Sequence, residues 1–227
     1  ALVENNRDEI WLEVLDDKAS VLYLEGTPRW EYRYLKNTWD RDERISLDSH
    51  LVPAPPGRKL PAGFPREPAE LFKYDTIILG DVEPELVDEP LRQGLLEYVR
   101  ARGGTLVVVA GPRAMPAAWR GTPLEELLPI SLVSPPPGRD LGAQLARDGA
   151  ALSLAAAGEE SELCRLLPGR QRNIELWELL PAPRWYHPVR GVVEGSSLLA
   201  TAGEEKAPTL VSRELGTGKV FYCGIDS

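Results

Sequence analysis

Three short, nearly unbroken apolar runs fall in the first half of the chain: SVLYLE at 20–25, YDTIILG at 74–80 and TLVVVA at 105–110. A strand with one face in water alternates apolar and polar residues, whereas a run that is apolar throughout must be covered on both faces. The first run passes through Gly26, Thr27 and Pro28, and threonine followed by proline suits an N-cap and first helical residue. The helical pattern beyond it carries Trp30 and Tyr34 one turn apart, with Tyr32, Leu35 and Trp39 on a neighbouring stripe. After the second run a helix is expected to begin near Asp88 or Glu89, to bury Leu91, Leu95, Leu96 and Val99, and to stop at Gly103 and Gly104. Residues 45–52 alternate and predict a further strand. Strands separated by helices specify an α/β fold, a doubly wound and mostly parallel sheet covered on both faces.

The connections are long. Proline supplies 21 of the 227 residues, well above the usual ~5%, and residues 53–68 form a proline-rich loop too long for a simple turn. Residues 122–128 predict a short helix capped by Thr122. Periodicity is weak over 131–207, read as an irregular insertion with a strand at 151–154 and helical turns near 159–167. Residues 209–213 and 219–223 flank Gly216, Thr217 and Gly218 and predict a C-terminal β-hairpin. Residues 1–18, with an apolar cluster at Ile10, Trp11, Leu12, Val14 and Leu15, read as an N-terminal extension, the tail of a preceding domain. The start at Ala1 and the single methionine, Met115, predict a fragment of a longer protein whose domain here spans 19–227.

Several functions are disfavoured by composition. A formal charge of −9 opposes nucleic acid and anionic membrane surfaces as partners. The longest weakly polar stretch, 149–158, is too short to cross a bilayer. With two histidines, two cysteines and no CxxC, no metal is expected. No cofactor is expected either: the first strand lacks a GxGxxG turn, and Gly216-Thr217-Gly218-Lys219 is no phosphate loop because Arg213 and Val220 stand where it needs glycine and Ser/Thr. Cys164, Cys223, His187, Trp119, Trp177 and Trp185 read as packing residues.

In a doubly wound sheet, ligands sit outside the carboxyl ends of the strands where strand order reverses. The residues expected there are Glu25, Arg29, Trp30, Glu31, Arg33, Asp81, Arg113 and Asp226. Two readings fit them: an anion- or partner-binding cluster built on Arg29 and Arg33, or a structural ion-pair network of carboxylates and arginines.

The segments VLYLEGTPRWEYRYLKN (21–37), YDTIILGDV (74–82) and EYVRARGGTLVVVAGP (97–112) resemble a family of large bacterial membrane proteins. In that family a class I glutamine amidotransferase-like domain accompanies von Willebrand factor A-like or BatA-type regions and transmembrane helices. The closing GTGKVFYCGID (216–226) is similar as well. The resemblance implies a flavodoxin-like sheet, attachment to a bacterial membrane with this portion soluble and extracytoplasmic, and partners among the other domains of the same protein or a neighbouring protein. Active class I amidotransferases place a nucleophilic cysteine at the turn after the strand equivalent to 105–110. Here that turn reads Ala110-Gly111-Pro112-Arg113, and the late His-x-Glu pair is missing because Pro188 and Val189 follow His187. The expectation is a non-catalytic domain that binds a ligand or partner. Two alternatives accompany it: a hydrolase or amidotransferase with displaced chemistry on Asp81, Glu31 or Asp226, and a sugar-binding domain, as in trehalose-utilisation-like relatives, with Trp30 lining the crevice.

Overall fold

The computed structural model describes residues 18–52, 61–133, 146–147 and 150–225. The apolar residues of the 1–18 extension and the candidate Asp226 lie outside these. In chain order the strands are β1 (Ala19–Glu25), β2 (Ile45–Leu51), β3 (Thr76–Gly80), β4 (Thr105–Val109), β5 (Ile130–Leu132), β6 (Ala146–Arg147), β7 (Leu152–Leu154), β8 (Trp185–Tyr186), β9 (Val189–Val192), β10 (Ser196–Ala202), β11 (Ala207–Leu215) and β12 (Gly218–Cys223). The α-helices are α1 (Trp30–Trp39), α2 (Pro68–Leu71), α3 (Glu89–Arg100), α4 (Ala156–Glu160) and α5 (Arg170–Glu178).

One eight-stranded sheet organises the domain, in the order β2-β1-β3-β4-β12-β11-β10-β7. The first five strands run parallel, and β11, β10 and β7 complete the sheet antiparallel. This is the expected flavodoxin-like α/β arrangement, and the predicted hairpin is β11–β12, turning at Gly216 and Thr217. Alternate residues of each central strand face opposite layers. Leu22, Leu24, Ile77, Leu79, Leu106, Val108, Val220 and Tyr222 join α3 in the main core. On the other face, Val21, Tyr23, Ile78 and Val109 pack beneath Tyr32, Leu35 and Trp39 of α1.

Helix α3 forms as its sequence predicts. Asp88 caps it by accepting the Leu91 N–H at 3.1 Å, Glu89 and Arg100 suit the two ends of the helix dipole, and Leu91, Leu95, Leu96 and Val99 are buried. Two expected caps are used otherwise. Helix α1 starts at Trp30 with Arg29 at the N-cap, because the Thr27 hydroxyl donates to Asp81 Oδ2 at 2.9 Å instead of capping. Residues 123–127 form a 3-10 turn rather than a capped helix, and the Thr122 hydroxyl donates to the Trp119 carbonyl at 2.7 Å.

Over 131–207 the chain is more regular than its periodicity predicts. The strand foreseen near 151–154 is β7, the helical turns near 159–167 include α4 and a 3-10 turn at Glu162–Cys164, and α5 and β10 complete a second core around Leu152, Cys164, Trp177, Leu199, Ala200 and Ala202.

Candidate functional site

Strand order reverses between β1 and β3: the chain leaves β1 to form β2 on one side and returns to form β3 on the other. The carboxyl ends of these strands deliver Glu25 and Asp81 side by side. Both are almost completely buried, at 0% and 1% exposure.

Burial of a carboxylate is costly unless every lone pair finds a donor. Glu25 Oε2 accepts from Arg29 Nη2 at 2.9 Å and from the Tyr23 hydroxyl at 3.2 Å, while Oε1 accepts the Thr27 N–H at 3.1 Å. Arg29 Nη1 donates onward to the Ala110 carbonyl at 2.6 Å, tying the start of α1 to the end of β4. The arrangement leaves no room for a side chain on β3: a Cβ on Gly80 falls 2.3 Å from Glu25 Oε2.

Asp81 is the hub of the second half. Its backbone adopts φ +51, which turns the carboxylate into the loop after β4. There Oδ1 accepts the backbone N–H groups of Arg113, Ala114 and Met115 at 3.2, 2.7 and 3.2 Å, and Oδ2 accepts the Thr27 hydroxyl. Successive backbone N–H groups converging on one point form an anion-binding nest. Here the anion is the protein's own carboxylate, and Gly111 makes the approach possible, since a Cβ there falls 2.1 Å from Asp81 Cγ.

The seven predicted residues that are described therefore divide, Asp226 lying outside them. Glu25, Arg29 and Asp81 are brought together, with Thr27 bridging the two carboxylates. Glu31 lies on the first turn of α1, where its charge acts on Arg29. The Arg113 guanidinium departs from the cluster to pair with Glu83 at 2.8 Å on the surface, and only its backbone N–H reaches Asp81. Trp30 and Arg33 point outward. Trp30 is 56% exposed, and the Arg33 guanidinium lies over its ring at 5.6 Å. With Pro28, Tyr32, Lys36, Asn37 and Leu51 they line a surface groove of about 500 Å³. Lys36 also pairs with Asp40, whereas Arg33 makes no ion pair among the described residues.

Sequence reasoning missed the Tyr23 hydroxyl, the bridging role of Thr27 and the Ala114 and Met115 amides. Tyr23 alternates onto the α1 face in phase with Glu25, a spacing visible in SVLYLE. The amides carry no side-chain signature at all.

Burial, opposed by Arg29, raises the Glu25 carboxyl to about 7. A carboxyl near neutrality suits acid–base chemistry, yet Glu25 has no surface open to a substrate. His187, buried as expected, sits at the end of β12 with its backbone N–H donating to the Gly224 carbonyl at 2.8 Å, and burial lowers its imidazole pKa. Cys164 is buried and Cys223 half-buried, and both thiols are free. Among the described residues, no group of three or more His, Cys, Asp or Glu side chains is placed to hold a metal ion, and no helix is long and apolar enough to cross a membrane.

Solved structures share this architecture. A cytoplasmic protein from Salmonella typhimurium superposes with a TM-score of 0.65 at 16% identity, covering 92% of this chain and 87% of that one. A ThuA-like protein from Bacteroides uniformis superposes with a TM-score of 0.56 at 11% identity, covering 97% and 87%. At such identities the likeness shows the fold: that of ThuA-like proteins, a class I glutamine amidotransferase-like fold. No family model and no curated protein matches the sequence.

Proposed function

We propose that this domain is an amidotransferase-like scaffold kept for binding rather than catalysis, and that its partner presents carboxylates to the groove beside α1. One observation carries the reading. The nest after β4, at the turn where an amidotransferase would present its nucleophile, is filled by Asp81, a side chain of the same molecule. Glu25, the other buried carboxylate, has both oxygens engaged. Arg33, stacked on Trp30 and without an ion-pair partner among the described residues, is the cation best placed to meet an acidic group. A planar guanidinium on an aromatic face presents its fork edge-on, which suits a carboxylate.

The family resemblance supplies the setting: the partner is an acidic segment of a neighbouring domain in a membrane-anchored bacterial protein, on the extracytoplasmic side. The test is capture of the remainder of that parent protein by the immobilised domain. Arg33→Glu is expected to abolish capture and Arg33→Lys to weaken it. Undiminished capture by Arg33→Glu, or glutaminase activity in the unaltered domain that is lost in Glu25→Gln, would overturn the proposal.

A further inference from the structure

The two edges of the sheet are finished differently. At one edge β7 is three residues long. At the other, β2 runs for seven residues with no lysine or proline. An edge strand is ordinarily blunted by shortness, lysine or proline, because its outward N–H and C=O groups otherwise template a further strand. The ladder to β1 fixes which groups face outward. The Ala19 N–H donates to the Arg44 carbonyl at 2.9 Å, and the Val52 N–H to the Glu25 carbonyl at 2.7 Å. Successive residues of a strand present their backbone groups to opposite sides, so Leu47, Ser49 and Leu51 direct theirs away from β1. Among the described residues no strand lies beyond them.

We infer that β2 takes up an extended acidic segment as a further strand of the sheet, an inference that rests on the acidic partner proposed above and gives that partner its conformation. The backbone sets the conformation: an edge offering alternating donors and acceptors is satisfied along its length by another extended chain. Charge sets the side chains, which alternate between the two faces of an added strand. Those beside Leu47, Ser49 and Leu51 lie on the α1 face, where Leu51 lines the same groove as Arg33 and Lys36. Those beside Ser46, Asp48 and His50 lie on the other face, where the cation at hand, Lys73, already faces the Asp48 carboxylate at 4.0 Å. The segment that fits therefore alternates acidic residues, on the α1 face, with neutral ones. A second copy of β2 does not fit, since Ile45, Leu47, Ser49 and Leu51 bring no acid to that face and each chain carries a formal charge of −9.

The test adds a short peptide alternating glutamate and threonine to the isotope-labelled 227-residue chain and follows amide hydrogen exchange by NMR. The Leu47, Ser49 and Leu51 amides are expected to exchange quickly in the protein alone, and at least about tenfold more slowly with the peptide well above its Kd. Only alternate residues of an added strand bond to its neighbour. N-methylation of one alternate set of peptide residues should therefore cost at least about tenfold in affinity and methylation of the other set little, the sensitive set reporting the strand's direction. Slow exchange of the three amides in the protein alone, through cover by its own chain or by a second copy, overturns the inference. So do equal effects of the two methylated sets. Shifts at Trp30 and Arg33 with unchanged exchange in β2 overturn the added strand and leave the acidic partner standing. A peptide that moves neither α1 nor β2 overturns both.

Discussion

The Asp81 carboxylate accepts the Ala114 N–H at 2.7 Å across the loop after β4. That bond, with its companions at Arg113 and Met115, turns a backbone anion site into an internal fastening. Doubly wound sheets ordinarily bind ligands outside the carboxyl ends of their strands, and here the loop at that end is closed on a side chain of the same molecule. The consequence for stability is direct, because Asp81→Ala leaves the buried Ala114 and Met115 N–H groups and the part-buried Arg113 N–H without their acceptor. Each buried orphan costs about 1–3 kcal/mol, so a loss of at least about 2 kcal/mol is expected in urea unfolding. Added sulfate should recover part of it by entering the vacated nest.

Arg29→Met tests the other half of the cluster. The pair is buried on both sides, with the Arg29 side chain 8% and the Glu25 side chain 0% exposed, and removing one partner of such a pair costs about 3–5 kcal/mol. The loss should depend on pH. Glu25 is raised from 4.5 to about 7, so between those values the folded state holds a proton that the unfolded chain releases. The stabilising contribution of that proton is complete below 4.5 and disappears as pH rises through about 7. Without Arg29 the carboxyl is harder still to ionise. The destabilisation measured by urea midpoints should therefore be larger at about pH 8 than at about pH 5.

Gly80→Ala and Gly111→Ala should each be costly. The added Cβ falls 2.3 Å from Glu25 Oε2 in the first and 2.1 Å from Asp81 Cγ in the second. Neither carboxylate can retreat without breaking its bonds, so a drop on the order of 2–4 kcal/mol is expected for either. Thermal melts of both variants check this. Gly191→Ala is the control, since a Cβ there meets nothing within 4 Å.

Trp30→Ala should act on binding and hardly on folding. The ring is 56% exposed, and an exposed cation–π pair with Arg33 contributes about 0.5–1 kcal/mol. The variant is expected to keep its melting temperature within a few degrees and to lose affinity for an acidic partner, because Arg33 loses the surface that orients it.

The central sheet was legible because β1, β3 and β4 are apolar nearly throughout and α3 carries a recognisable cap in Asp88. The far side of the sheet was not. Strand β10 is built from small residues, SSLLATA, and α4 approaches so closely that a Cβ on Gly158 falls 1.9 Å from the Leu199 carbonyl. Close packing by small residues leaves little hydrophobic periodicity to read. At the site, sequence identified the buried carboxylates and Arg29 but placed the Arg113 guanidinium in the crevice, whereas Glu83 draws it to the surface. The nest depends on the positive φ of Asp81 and on backbone amides, which tertiary structure alone brings together.

We propose that an acidic ligand meets the groove of α1 and not the closed nest after β4. An amide and side-chain NMR titration of the domain with a glutamate-rich peptide tests it most directly. Shifts are expected at the Trp30 indole N–H, the Arg33 Nε–H and the Lys36 amide, with the Ala114 and Met115 amides unmoved. Shifts at Ala114 and Met115 with a silent α1 would contradict it.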